Sequence, residues 1–116
     1  MEGLVKIYDK WVNHYEPKLG LYFIEPLWDA QEYSAASVQT KDIFAGGIGY
    51  RPSHNSEMYA NAIAISKIAK LIGDTKTETD FTARAKALRE AIITHLWDKT
   101  RHHFYHVQRL DIFSVL

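Results

Sequence analysis

One stretch constrains this chain more than any other, the aromatic and polar run from Tyr22 to Tyr59. It opens with Tyr22-Phe23-Ile24-Glu25-Pro26-Leu27-Trp28-Asp29-Ala30-Gln31-Glu32-Tyr33-Ser34. It closes with Gly46-Gly47-Ile48-Gly49-Tyr50-Arg51-Pro52-Ser53-His54-Asn55-Ser56-Glu57-Met58-Tyr59. Most of it lacks the period of a helix or a strand. A long aperiodic segment inside a compact domain is uncommon and usually carries function. Flat rings, carboxylates, amides and a guanidinium suit a sugar, whose ring faces are apolar and whose rim is hydroxylated. The fold must therefore hold a long loop in place with the ordinary helices on either side of it.

Those helices follow from periodicity. Leu4, Ile7, Tyr8, Trp11, Val12 and Tyr15 recur at steps of three and four, which predicts a first helix over Gly3 to Tyr15. Pro17 and Gly20 end it. A second helix is expected from about Ser56 to Ile72, capped by Asn55 or Ser56, with Met58, Ala62, Ile65, Ala69 and Ile72 inward. Gly73 is a C-terminal stop. A third is expected from about Thr77 to Trp97, with Phe81, Ala85, Leu88, Ile92 and Leu96 inward. Thr75-Lys76-Thr77-Glu78 has the form of a capping box before it. The linker between helices two and three is short, so they should pack as an antiparallel hairpin. Phe104-Tyr105-His106-Val107 reads as a short strand or an extended exit. The expected class is all-α.

Composition removes several functions. With 116 residues the chain fits one domain. Lys and Arg total 14, as do Asp and Glu, so no basic field exists to hold nucleic acid. No apolar run approaches the ~20 residues of a membrane span, and no basic amphipathic helix is present to lie on one. Cysteine is absent, which excludes disulfides and thiolate metal sites. Met1-Glu2-Gly3-Leu4-Val5-Lys6 is not a secretory signal, so the cytoplasm is the expected location. The apolar end, Leu110-Asp111-Ile112-Phe113-Ser114-Val115-Leu116, is unlike the usual polar terminus. It suggests a piece of a larger protein or a truncated reading frame, with residues 1–116 as one partial domain.

The order of landmarks resembles that of the (α/α)-barrel, or six-hairpin, glycoside hydrolases. The nearest pattern is the clan of trehalases, processing α-glucosidase I and mannosylglycerate hydrolase. The resemblance rests on Trp28-Asp29-Ala30-Gln31-Glu32-Tyr33-Ser34, then Arg51 to Tyr59, then Ile72-Gly73-Asp74, Leu96-Trp97-Asp98 and Phe104-Tyr105. It covers roughly residues 20 to 109. The serine- and arginine-rich run that trehalases carry after Trp-Asp is missing, which argues against trehalose as substrate.

The resemblance implies helical hairpins belonging to an (α/α)6 toroid barrel and a glycoside or oligosaccharide as substrate. It implies no cofactor, and hydrolysis with inversion. Inversion needs two carboxyls about 6.5–9.5 Å apart with water between them. Asp29 is the implied general acid, its pKa raised by the neighbouring Trp28. The family's base lies far downstream, and nothing in these residues supplies it. The remainder of the barrel, or another copy of the chain, is expected to cover the apolar helix faces.

Each site residue also has a plainer reading. Asp29 after Trp28 can be a turn or a cap. Glu32 can bind a hydroxyl or be structural. Arg51 can grip hydroxyls or brace the loop, and Asn55 can grip hydroxyls or cap the helix. Trp28, Tyr33 and Tyr50 can stack on sugar or fill core. Gly46, Gly47 and Gly49 lack dinucleotide-fingerprint spacing and mark a flexible turn. His102, His103 and His106 lack metal-ligand spacing and fit a solvated turn. Trp97 is read as core. The rival function is a non-catalytic helical module that docks on other proteins.

Overall fold

A computed structural model describes residues 1–24 and 49–109. Its centre is a hairpin of two long helices, α2 (Pro52–Ile72) and α3 (Thr75–Leu96). The Ser66 hydroxyl lies 2.6 Å from that of Thr82 and donates to the Glu78 carbonyl at 3.4 Å. Only Gly73 and Asp74 link these two packed helices, so they run antiparallel, as predicted. Ala62, Ala69 and Ala85 are buried and let the two backbones approach closely.

The predicted inward stripe of α3 is buried in full: Phe81, Ala85, Leu88, Ile92 and Leu96. That of α2 holds for Met58, Ala62, Ile65 and Ala69, but Ile72 is 61% exposed. Ile72 sits on the last turn, where the chain is already leaving the hairpin. Gly73 does end α2, at φ 75°. Its N–H bonds the Lys70 carbonyl and that of Asp74 bonds Ala69, the paired closure that a left-handed residue allows.

Two helix starts differ from expectation. α2 begins at Pro52, so neither Asn55 nor Ser56 caps it. Proline at the first helical position lacks only an N–H that would have had no helical partner, and its φ is already helical. α3 is capped by Asp74, whose carboxylate accepts from the Thr77 N–H at 3.1 Å and its hydroxyl at 2.7 Å. A carboxylate at the N-cap also meets the positive end of the helix dipole, so it displaces the capping box expected one residue later.

The first helix is shorter than its periodicity suggested. α1 spans Glu2–Asp9, and Lys10–His14 form a 3₁₀ turn. Tyr15–Glu16 (β1) then pair antiparallel with Leu21–Tyr22 (β2). Trp11, Val12, Asn13 and His14 are weak helix formers, and Pro17 pushes the residue before it toward extended backbone. Gly20, at φ 69°, closes the turn, donating from its N–H to the Glu16 carbonyl at 2.8 Å. The tightened turn rotates Val12 to the surface, whereas Tyr8 stays buried against Tyr22 and Phe81.

Beyond α3, Trp97–Asp98 (β4) pair with His103–Phe104 (β5), and Val107–Gln108 (β6) pair with Gly49–Tyr50 (β3). Trp97 is half-buried against the Phe104 ring. These short ribbons decorate a mostly helical body. Its core joins Tyr8, Leu21, Phe23 and Tyr50 to the inner faces of α2 and α3. Among the described residues no helix is long and apolar enough to cross a membrane.

Candidate functional site

The chain leaves the described body at Ile24 and re-enters it at Gly49, and these two residues pair. Each backbone N–H donates to the other's carbonyl, at 3.0 and 3.1 Å. The aperiodic segment is thus pinned at both ends to one place, beside the first turn of α2. Trp28, Asp29, Glu32 and Tyr33, together with Gly46 and Gly47, lie outside the described residues. Arg51 and Asn55 are described, and both sit at this base.

Asn55 is fully buried. Its Oδ1 accepts from the Tyr22 N–H at 2.8 Å, and its Nδ2 donates to the carbonyls of Tyr22 and Arg51, each at 2.9 Å. Both amide hydrogens are therefore engaged. In an antiparallel ribbon, successive residues direct their backbone groups to opposite edges. Phe23 bonds back to His14, so Tyr22 faces the other way, and the carboxamide of Asn55 meets it as a strand would. This is the bracing role, carried out by the residue read as a cap.

Arg51 is 1% exposed and lies at the junction of β3 and α2. His54, also buried, packs tilted against Trp11 with ring centres 4.6 Å apart. Phe23 and Tyr50 meet edge-to-face at 6.1 Å, so Tyr50 fills core below the loop. The Arg109 guanidinium lies 3.9 Å above the Phe23 ring. Burial raises the Tyr50 pKa, as does the charge of Glu16, against the opposing pull of Arg109.

Gly49 is not a flexible turn but a close approach. A methyl group there would lie 2.8 Å from His106 Nδ1 and 2.8 Å from the Val107 carbonyl. His106 accordingly packs under the base of the loop, while His102 and His103 stay in the exposed turn. Burial, and then the charge of Arg51, push the His106 pKa down. Among the described residues no group of three or more His, Asp or Glu is placed to hold a metal ion.

The arrangement is a rigid mount: two buried aromatics, two arginines and two histidines around the ends of one loop. The Tyr50 to Asn55 part was visible in the motif. His106 and Arg109 were not, because they reach the site through the β3–β6 pairing, which no local pattern announces.

Against known families, the model of the Mannosylglycerate hydrolase MGH1-like glycoside hydrolase domain matches residues 1–111. No curated protein and no solved structure gives a match.

Proposed function

The chain belongs to the mannosylglycerate hydrolase MGH1-like glycoside hydrolases, a glycosidase-type family, and from that premise we propose how its residues serve the reaction. The substrate is a glycoside or short oligosaccharide, hydrolysed with inversion. Asp29 protonates the departing glycosidic oxygen. Trp28 desolvates the Asp29 carboxyl and, with Tyr33, offers a ring to the sugar. Glu32 binds hydroxyls. Arg51 and Asn55 act on the sugar through the loop they brace.

The observation that carries this reading is the Ile24–Gly49 pairing beside Arg51 and Asn55. Asp29 is five residues from Ile24, so chain reach alone keeps it within about 18 Å of that base. The second carboxyl of an inverting pair comes, in this proposal, from other hairpins of an (α/α)6 barrel. Leu4, Ile7, Ile68 and Leu71 support a larger assembly: they are exposed apolar residues on α1 and α2, with Leu71 85% exposed, which neighbouring hairpins would cover.

The test is Asp29→Asn in a full-length protein that carries this segment. Turnover of a natural glycoside should fall ~10²–10⁴-fold with little change in substrate affinity. The loss should shrink for aryl glycosides whose leaving groups need no proton. Unchanged turnover on both substrates would remove Asp29 from the mechanism and favour the docking-module reading.

A further inference from the structure

Between α1, the β1–β2 ribbon and α3 lies a cleft of about 380 Å³, lined by Tyr8, Asp9, Tyr15, Tyr22 and Arg84 among others. That volume is within the ~300–1,000 Å³ typical of small-molecule sites. None of its side chains belongs to the mount described above, although the backbone of Tyr22 is held there by Asn55. Ala83 and Ala87, one helical turn apart on α3, are the small residues that keep it open. We propose that this cleft is a second carbohydrate site, binding a neutral pyranoside without cleaving it.

The chemistry is specific. The rings of Tyr15 and Tyr22 lie 5.0 Å apart, and Tyr8 meets Tyr22 edge-on at 6.1 Å. Tyr15 is partly exposed, so an aromatic face remains available to the apolar side of a sugar. Arg84 reaches across the cleft and bonds Asp9 at 2.7 Å, while its other nitrogens bond Asp80 at 3.0 Å. It is stacked 4.5 Å over Phe81. A fork held this way presents fixed donors beside fixed acceptors.

A vicinal diol matches that pattern, because each hydroxyl can donate to Asp9 and accept from Arg84. Anions are disfavoured, since two carboxylates already flank the one guanidinium. A cation that approached Asp9 would meet Arg84. A neutral, hydroxylated ring with an apolar face satisfies every group without leaving a charge unpaired. The site stands on its own residues and does not depend on Asp29 being catalytic.

The experiment uses the full chain, ¹⁵N-labelled, titrated with methyl α-D-glucopyranoside, methyl α-D-mannopyranoside and maltose, with tetramethylammonium and inorganic phosphate as rivals. Saturable amide shifts at Ala83 and Ala87 with at least one glycoside are expected. Tyr15→Ala should raise Kd about tenfold, and Ala87→Trp, which fills the cleft, should abolish those shifts. Asp29→Asn should leave them unchanged, so this site and the proposed catalytic one fail separately. Ala83→Phe serves as a second filling variant should Ala87→Trp melt early. Three results would overturn the proposal: no glycoside shifts these amides, tetramethylammonium or phosphate saturates them instead, or glycoside binding survives Tyr15→Ala together with a folded filling variant.

Discussion

Replacing Asn55 with alanine should be among the most damaging single changes in the described body. The side chain makes three bonds to backbone at 2.8–2.9 Å in a site closed to water. Truncation strands the Tyr22 N–H and carbonyl, which face α2 and have no ribbon partner on that side. A buried backbone group left unsatisfied costs ~1–3 kcal/mol, so losing both partners should cost about 3–5 kcal/mol. For a domain of this size that corresponds to a fall in Tm of about 10–20 °C. Asn55→Ser separates the clamp from a helix cap: a hydroxyl caps well but is too short to bridge Tyr22 and carries one hydrogen instead of two. Asn55→Asp keeps the acceptor but sets a carboxylate against the Tyr22 carbonyl. All three variants should melt well below the parent by circular dichroism. An Asn55→Ser protein that melts within a degree or two of the parent would refute the clamp.

Gly49→Ala should destabilise by ~1–3 kcal/mol in a denaturant melt, because the new methyl meets a backbone carbonyl that cannot swing aside. His106 has a folded pKa depressed below its ordinary 6.5, so its unfolded form binds the extra proton. Its contribution is fully present above about pH 6.5 and is lost as pH falls from there through the depressed value; His106→Gln should flatten that part of the stability–pH curve measured by urea titration. Asp74→Ala should lower Tm by removing the α3 cap, and Asp74→Ser should recover most of the loss, because serine can also accept from the Thr77 N–H.

The helical hairpin was legible because α2 and α3 are long and bury one stripe each, so the helical period repeats often enough to be read. Gly73 marked the turn through the one conformation that glycine adopts without strain. The boundaries were harder. Pro52 carried a usable start signal, but the nearby Asn55-Ser56 pair drew the reading four residues downstream. The first helix was overextended because Trp11, Val12 and Tyr15 match a helical face in spacing, while their true positions depend on the ribbon that Tyr15 forms with Tyr22. Arg51 and Asn55 were visible as a motif, yet their burial depends on β2 and β3 lying beside α2. Arg109 over Phe23 joins opposite ends of the chain and has no local signature. The mannosylglycerate hydrolase-like pattern was legible for another reason: its landmarks are aromatic, glycine and carboxylate positions that can be read in order along the chain.

The Ile24–Gly49 pairing has a consequence for how such a chain can diversify. Once two neighbouring points are joined by their own hydrogen bonds, whatever runs between them is closed by the scaffold rather than by its own contents. Doubling the length of a flexible loop adds only about 0.6 kcal/mol of closure entropy. Changing the length of the segment between Ile24 and Gly49 therefore adds only a small closure cost. A graft of the corresponding segment from a related hydrolase, cut between Ile24 and Gly49, would measure how far closure by this pairing alone governs the melting behaviour of the hairpin.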